Sequence, residues 1–332
     1  MATDVDTDLA DELSGLDAAT VLQQLEPHRR ELTGYCYRVL GSSFEAEDAV
    51  QETMVRAWKA SDRFEGRSSV RSWLYRIATN VCLDMLRGPQ RRARPMDLGP
   101  ASRADVAVLA TRPEHAWVTP VADAAVLPTD SDPATLATMR ESIRLAFVAA
   151  LQYLPPRQRV VLILREVLSW QASEVAHLLE TSVASVNSAL QRARATLAEH
   201  PYEDEIDEVD DDQAALLANY VDAFERYDIE RLVALLHEDA IMSMPPFDLW
   251  LSGPVDIGRW FLGTGIECKG SRLVATAANG CAAFGSYRLD PNGGWAPWSL
   301  QVLESDGERI TGHHNFLDTS LFAQFGLPLH LD

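Results

Sequence analysis

Residues 169–197, SWQASEVAHLLETSVASVNSALQRARATL, hold the polar side chains of this chain that are best spaced to do chemistry. The segment reads as two helices joined by a tight polar turn. In the second, Val183, Val186, Leu190, Ala193 and Leu197 recur at helical spacing and predict a buried face. Ser185, Asn187, Ser188, Gln191, Arg192 and Arg194 fall on the opposite face. Amides and guanidinium forks match base edges in a DNA major groove, and Arg and Ser also hold phosphates. The preceding helix turns Val175, Leu178 and Leu179 inward, and Ala176 is small where two such helices must approach closely. Thr181 or Ser182 can cap the second helix. The competing reading is a surface hairpin whose polar face is only solvated. Glu180 speaks for it, because many DNA-binding hairpins place Gly at that turn.

The net charge of −20 argues against a polyanionic partner until its distribution is considered. Residues 1–21 hold six acids and no Lys or Arg, and residues 201–332 hold twenty-three acids against seven basic residues. The blocks 22–90 (ten basic, nine acidic) and 133–200 (seven basic, five acidic) are close to neutral. Phosphate attraction depends on local patches rather than on the total. Such weak basicity predicts poor DNA affinity for the chain alone and a larger partner that supplies much of the grip. Hydrophobic content of 47% over 332 residues supports two or three domains with real cores. No apolar run has membrane-spanning length and no secretory signal opens the chain, so a cytoplasmic protein without a membrane role is expected. Cys36, Cys82, Cys268 and Cys281 are scattered, form no CxxC pair and predict reduced thiols, with no metal and no cofactor.

The elements that must position these residues follow. Residues 1–20 read as an acidic flexible tail and 21–90 as a helical block. Within it, Ala49, Val50, Thr53, Met54, Ala57 and Trp58 line one side of a helix, and Trp73, Leu74, Ile77, Val81 and Met85 line another. Residues 91–132, rich in Pro, Ala and Asp, read as a linker. Helical texture resumes over 133–200, broken at Leu154-Pro155-Pro156, where the prolines suit a helix start. The acidic run 201–212 marks a boundary. Residues 213–332 begin with a helical stretch and continue as an antiparallel meander. Its turns are Asn279-Gly280, a type I′ hairpin signal, Pro291-Asn292-Gly293-Gly294, and Asp306-Gly307.

Taken together and in this order, the pieces resemble a bacterial sigma factor of the extracytoplasmic-function class, the minimal sigma-70 type. GSSFEAEDAVQETMVRAW (41–58) resembles the region-2 helix that docks on the RNA polymerase clamp. FEGRSSVRSWLYRIATNVCLDMLR (64–87) resembles the promoter-melting and −10-reading part. Residues 154–197 resemble region 4, which reads the −35 element. The resemblance implies core RNA polymerase (clamp and flap) and promoter DNA as partners. It assigns Asp48, Gln51 and Glu52 to the polymerase. It assigns Arg63, Phe64, Gly66, Arg67, Ser68, Ser69, Arg76, Asn80 and Arg87 to the −10 element, with Trp73 read as core. The −35 element falls to Ser185, Asn187, Ser188, Gln191, Arg192 and Arg194.

Chains built of these pieces alone would end near residue 200. The remainder resembles the SnoaL-like fold, an α+β cone with a curved antiparallel sheet shared with ketosteroid isomerases and polyketide cyclases. The expected architecture is therefore multidomain: two all-α sigma domains, region 2 and a region 4 helix-turn-helix, followed by that cone. The resemblance implies a sigma factor whose extension regulates it in cis, with no enzymatic activity. The alternative is a SnoaL-like enzyme or small-ligand sensor fused to a DNA-binding module. In that reading Asp222, Asp239, Asp248 or His314 would serve the pocket, though His313 and His314 alternate along a strand so that only one can face it. The apolar segment FLDTSLFAQFGLPLHL (316–331) is a candidate contact strip toward the sigma domains, or packs on its own domain.

Overall fold

A computed structural model describes residues 24–61, 64, 68–87, 91–105, 109–129, 131–200 and 211–332. The tail read over 1–20 and most of the acidic run lie outside these residues. The chain forms two units. The first joins residues up to Arg91 with Ala124–Tyr202, and the second joins Arg92–Asp123 with Glu203–Asp332.

In the first unit the region-2 block is three helices, α1 (Arg29–Leu40), α2 (Ser43–Ala60) and α3 (Val70–Met85). Their ends are written in the sequence. Gly41, at φ 72°, closes α1. The hydroxyls of Ser42 and Ser69 accept from the third backbone N–H beyond them, at 3.4 and 3.1 Å, and start α2 and α3. Leu32, Tyr35, Ala49, Val50, Met54, Leu74, Ala78 and Val81 fill the space between them. The second helical block is α4 (Pro133–Glu141), α5 (Leu145–Leu151), α6 (Pro156–Leu162), α7 (Ala172–Leu178) and α8 (Val183–Glu199). Asp132 caps α4, and prolines at the first position open α4 and α6. Three apolar residues assigned to inner faces are exposed instead: Trp58 (41%), Met85 (39%) and Val183 (43%). Each sits in a terminal turn of its helix, where the periodic stripe runs past the neighbouring helix.

The two helical blocks of this unit are joined by a reciprocal pair of buried arginines. Arg38, from the last turn of α1, donates to Ser142 Oγ at 2.7 and 3.1 Å and to the Met139 carbonyl at 3.4 Å, at the end of α4. Arg159, from α6, donates to the Val39 carbonyl at 2.5 Å, in the last turn of α1. It also donates to Gln152 and to the Leu154 carbonyl, beyond the end of α5. Among the described residues neither guanidinium has a carboxylate partner. Each sits at the negative end of a helix dipole instead. Burial pulls both pKa values down to about 10, which leaves both protonated at neutral pH.

The second unit opens with α9 (Asp211–Arg226) and α10 (Ile229–Ala234), broken at Tyr227, which takes φ 57°. Then come β1 (Leu236–Ser243), β2 (Trp250–Ser252), α11 (Pro254–Leu262), β3 (Arg272–Ala278), β4 (Cys281–Leu289), β5 (Trp295–Ser305), β6 (Ile310–Phe316) and the short α12 (Leu321–Gln324). One curved, open sheet runs β2-β1-β6-β5-β4-β3, packed with helices in an α+β arrangement. Every pair is antiparallel except β1–β6, which is parallel. The expected type I′ turn is present, with Asn279 at φ 56° and Gly280 at 73°. Tyr220, Phe224, Trp260 and Phe261 from the helices pack with Phe284, Leu303 and Met242 of the sheet. The candidate contact strip packs on its own unit: Leu321 and Phe322 are buried, and Phe322 meets Tyr287 at 5.1 Å.

Of the segment 91–132, read as a linker, residues 92–123 belong to the second unit. Backbone bonds supply part of the contact, and Trp117, Val118 and Val121 are buried without a sustained periodic stripe to announce them. Ser102 N–H donates to the Trp250 carbonyl on edge strand β2 at 2.8 Å, and Arg112 N–H to the Pro246 carbonyl at 3.0 Å. At the hairpin tip Asn279 clasps one residue twice: its N–H donates to the Val121 carbonyl at 3.1 Å and its Oδ1 accepts from Val121 N–H at 3.0 Å. Asn279→Gly keeps the left-handed turn but leaves the buried Val121 N–H without that acceptor. The expected cost is about 1–3 kcal/mol, read as a lowered urea midpoint of the full chain by tryptophan fluorescence. An unchanged midpoint would refute the clasp.

Candidate nucleic-acid interface

Ser182 holds the start of α8, its Oγ accepting from Ser185 N–H at 3.2 Å. Val186, Leu190 and Ala193 are buried, and Ser185, Asn187, Ser188, Gln191, Arg192 and Arg194 are all exposed. The structure therefore brings the six residues onto one open helical face. Arg192 donates to Ser188 Oγ at 2.6 Å, one turn back. Arg194 pairs with Glu166 at 2.5 Å, an exposed ion pair that contributes little stability and can exchange for a phosphate.

The region-2 residues are less uniformly displayed. Asn80 is exposed on α3 and Arg87 is exposed just beyond its end, 2.8 Å from Asp84. Phe64 and Trp73 pack ring on ring at 4.8 Å, both half-buried. Ser69 is a helix cap, its hydroxyl engaged by Ser72, so base contact is not its sole role. Arg76 donates to the His177 carbonyl at 3.0 Å, at the end of α7. Arg63, Gly66 and Arg67 lie outside the described residues. On α2, Asp48, Gln51 and Glu52 are exposed side by side, and Glu52 pairs with Arg56 at 2.7 Å.

Sequence reasoning missed Arg38, Arg71 and Arg159. Arg71 bonds Glu31 at 2.8 Å and lies over the rings of Tyr75 and Trp170, at 5.0 and 5.5 Å. An isolated arginine in a helix reads as surface, and no periodic signal separates these three from the exposed ones.

Residues 25–92 match the Sigma-70 region 2 family and residues 144–197 match Sigma-70, region 4. Along 311 residues the chain is 45% identical to the ECF RNA polymerase sigma factor SigG of Mycobacterium tuberculosis, covering 91% of this chain and 82% of that protein. This chain belongs to the ECF sigma factors of RNA polymerase. It is 30% identical over 162 residues to Bacillus subtilis SigW, covering 49% of this chain and 78% of that one. The crystal structure of the Mycobacterium tuberculosis sigma factor SigJ superposes with a TM-score of 0.57 at 22% identity. The match covers 92% of this chain and 99% of SigJ, which extends the shared fold through the C-terminal unit. The function is promoter recognition in transcription initiation.

The C-terminal unit of this sigma factor places the weighed carboxylates on its surface. Asp222 pairs with Arg226 and Arg231, Asp248 with Arg112, and Asp239 is exposed. His313 and His314 do face opposite sides of the sheet, and both are buried. His314 meets Ser243 Oγ at 2.8 Å and Glu304 at 3.3 Å. His313 sits on the helix-facing side, 3.0 Å from the Tyr220 hydroxyl, which itself donates to Gln301. Among the described residues no three His, Cys, Asp or Glu side chains are placed to hold a metal ion, and no helix is long and apolar enough to cross a membrane.

Burial, with His314 beside it, lowers the His313 pKa to about 3, so the folded sigma factor holds this ring neutral. In the unfolded chain the ring titrates near 6.5, and its contribution to stability is therefore complete above that pH. Between pH ~6.5 and ~3 that contribution falls by about 1.4 kcal/mol per pH unit. His313→Gln is expected to flatten the decline in melting temperature across this window by the equivalent of one proton. A slope identical to the parent's would show that another group controls acid unfolding.

Proposed function

We propose that the exposed polar face of α8 reads the −35 element: Asn187, Ser188 and Gln191 contact base edges, while Ser185, Arg192 and Arg194 hold phosphates. The observation that carries this reading is the sharp division of that helix, with Val186, Leu190 and Ala193 buried and every polar candidate exposed. Phe64, Ser68, Ser69, Arg76, Asn80 and Arg87, with Arg63, Gly66 and Arg67 of the adjoining loop, read and melt the −10 element. Asp48, Gln51 and Glu52 dock on the polymerase clamp, region 4 docks on the flap, and the protein acts in the cytoplasm.

The C-terminal unit regulates these regions in cis. Its support is covalent: residues 92–123, the only chain between the two sigma regions, fold into that unit. A change in the unit thereby changes the tether. Run-off transcription with core polymerase tests the reading, using the full chain and a chain ending at His200. Equal promoter output from both would refute regulation in cis.

Gln191→Ala is expected to relax preference at one −35 position, at about 1–3 kcal/mol. Arg194→Ala should weaken all promoters alike and flatten the salt dependence, both read by titrating promoter variants with holoenzyme. The same uniform loss from both would sink the assignment of base readers. Replacing Asp48 and Glu52 together by Lys should abolish polymerase pull-down with the circular dichroism melt unchanged, since both side chains are exposed. Normal pull-down would refute the docking face.

A further inference from the structure

We infer that in the free chain the turn of the helix-turn-helix caps the −10-reading helix, with Glu180 standing in for a DNA phosphate on Arg76. The inference rests on the −10 role proposed for Arg76. At the turn between α7 and α8 the His177 carbonyl accepts from Arg76 at 3.0 Å, and the Glu180 carboxylate lies 3.9 Å from the same guanidinium. Trp170, which precedes α7, is buried against Tyr75 of α3 with ring centroids 5.1 Å apart. Arg38 and Arg159 lock the same two helical blocks together elsewhere.

Two further features fit a built contact. Glu180 takes φ 52°, a left-handed conformation that Gly adopts more readily, yet this turn carries an acid. A cleft of about 500 Å³ is lined by Asn80 of the −10 set, by Glu180 and Thr181 of the turn, and by Ser185 and Arg192 of the −35 set. In a promoter those two elements lie about 25 base pairs apart, roughly 85 Å at about 3.4 Å per pair. Side chains that share one such cleft cannot read both elements at once. This arrangement is therefore a masked form, and opening it frees Arg76 for DNA.

The test is fluorescence anisotropy of the full-length free chain on a promoter fragment that its holoenzyme transcribes. Glu180→Gln removes the charge, and Glu180→Gly removes it while fitting the left-handed turn, so folding is preserved. Each is expected to raise affinity by about 2–5-fold, whereas Glu199→Gln, an exposed acid on the same helical block, leaves it within error. In the Arg76→Ala background the gain from Glu180→Gln should vanish. Gains equal to that of Glu199→Gln, or a full gain without Arg76, would overturn the capping. Failure of the underlying reading is separately visible, because Arg76→Ala would then leave transcription by the holoenzyme unchanged.

Discussion

Two buried arginines without carboxylates, Arg38 and Arg159, hold the arrangement of the sigma regions. A guanidinium removed from water costs several kcal/mol unless its donors are satisfied. Here helix C-terminal carbonyls, a hydroxyl and an amide take most of them, with Arg159 Nε buried without an acceptor among the described residues. These acceptors exist only while each helix ends where it does and the other block is alongside. Helix termination, set by Gly41 and by the proline starts, is in this way coupled to the packing of one region on another. A carboxylate partner would have tied each arginine to one residue. Carbonyls at helix ends tie it to a whole element.

The DNA-facing surfaces follow from that frame. The apolar seams of α7 and α8 bury Val175, Leu178, Val186 and Leu190, so the amides and arginines of α8 have only the outward face. Across the same unit, α3 offers Asn80 to solvent while Arg71 and Arg76 are engaged by Trp170 and His177. Of two nominally equivalent polar faces, one is open and the other is partly spoken for. That difference comes from packing and not from residue type.

In the C-terminal unit the dominant constraint is the filling of the sheet's helix-facing side by aromatic rings. Tyr220, Phe224, Phe261 and Phe284 occupy it, and His313 is accepted there as a neutral ring bonded near Tyr220 and Gln301. The carboxylates that could have served as bases are paired with arginines on the surface or exposed. The sheet edge and hairpin tip of this unit hold residues of the segment between the sigma regions.

Most of the architecture was legible in the residues, because local rules set it. Ser42, Ser69, Asp132 and Ser182 announce helix starts, the 3.6-residue stripe of α8 separates its two faces, and Asn279-Gly280 dictates the hairpin that joins strands 272–278 and 281–289. The six residues of the α8 face could be named from spacing alone. Three matters were decided only in three dimensions. The parallel β1–β6 pair depends on strand order, which short-range patterns do not encode. The docking of residues 92–123 combines backbone bonds at the sheet edge and hairpin tip with pairs such as Arg112–Asp248, whose partners lie more than a hundred residues apart. The fates of Arg38, Arg76 and Arg159 depend on which carbonyls arrive from more than a hundred residues away. A long charged side chain reads the same in sequence whether it ends in water, on a phosphate or at the end of another helix.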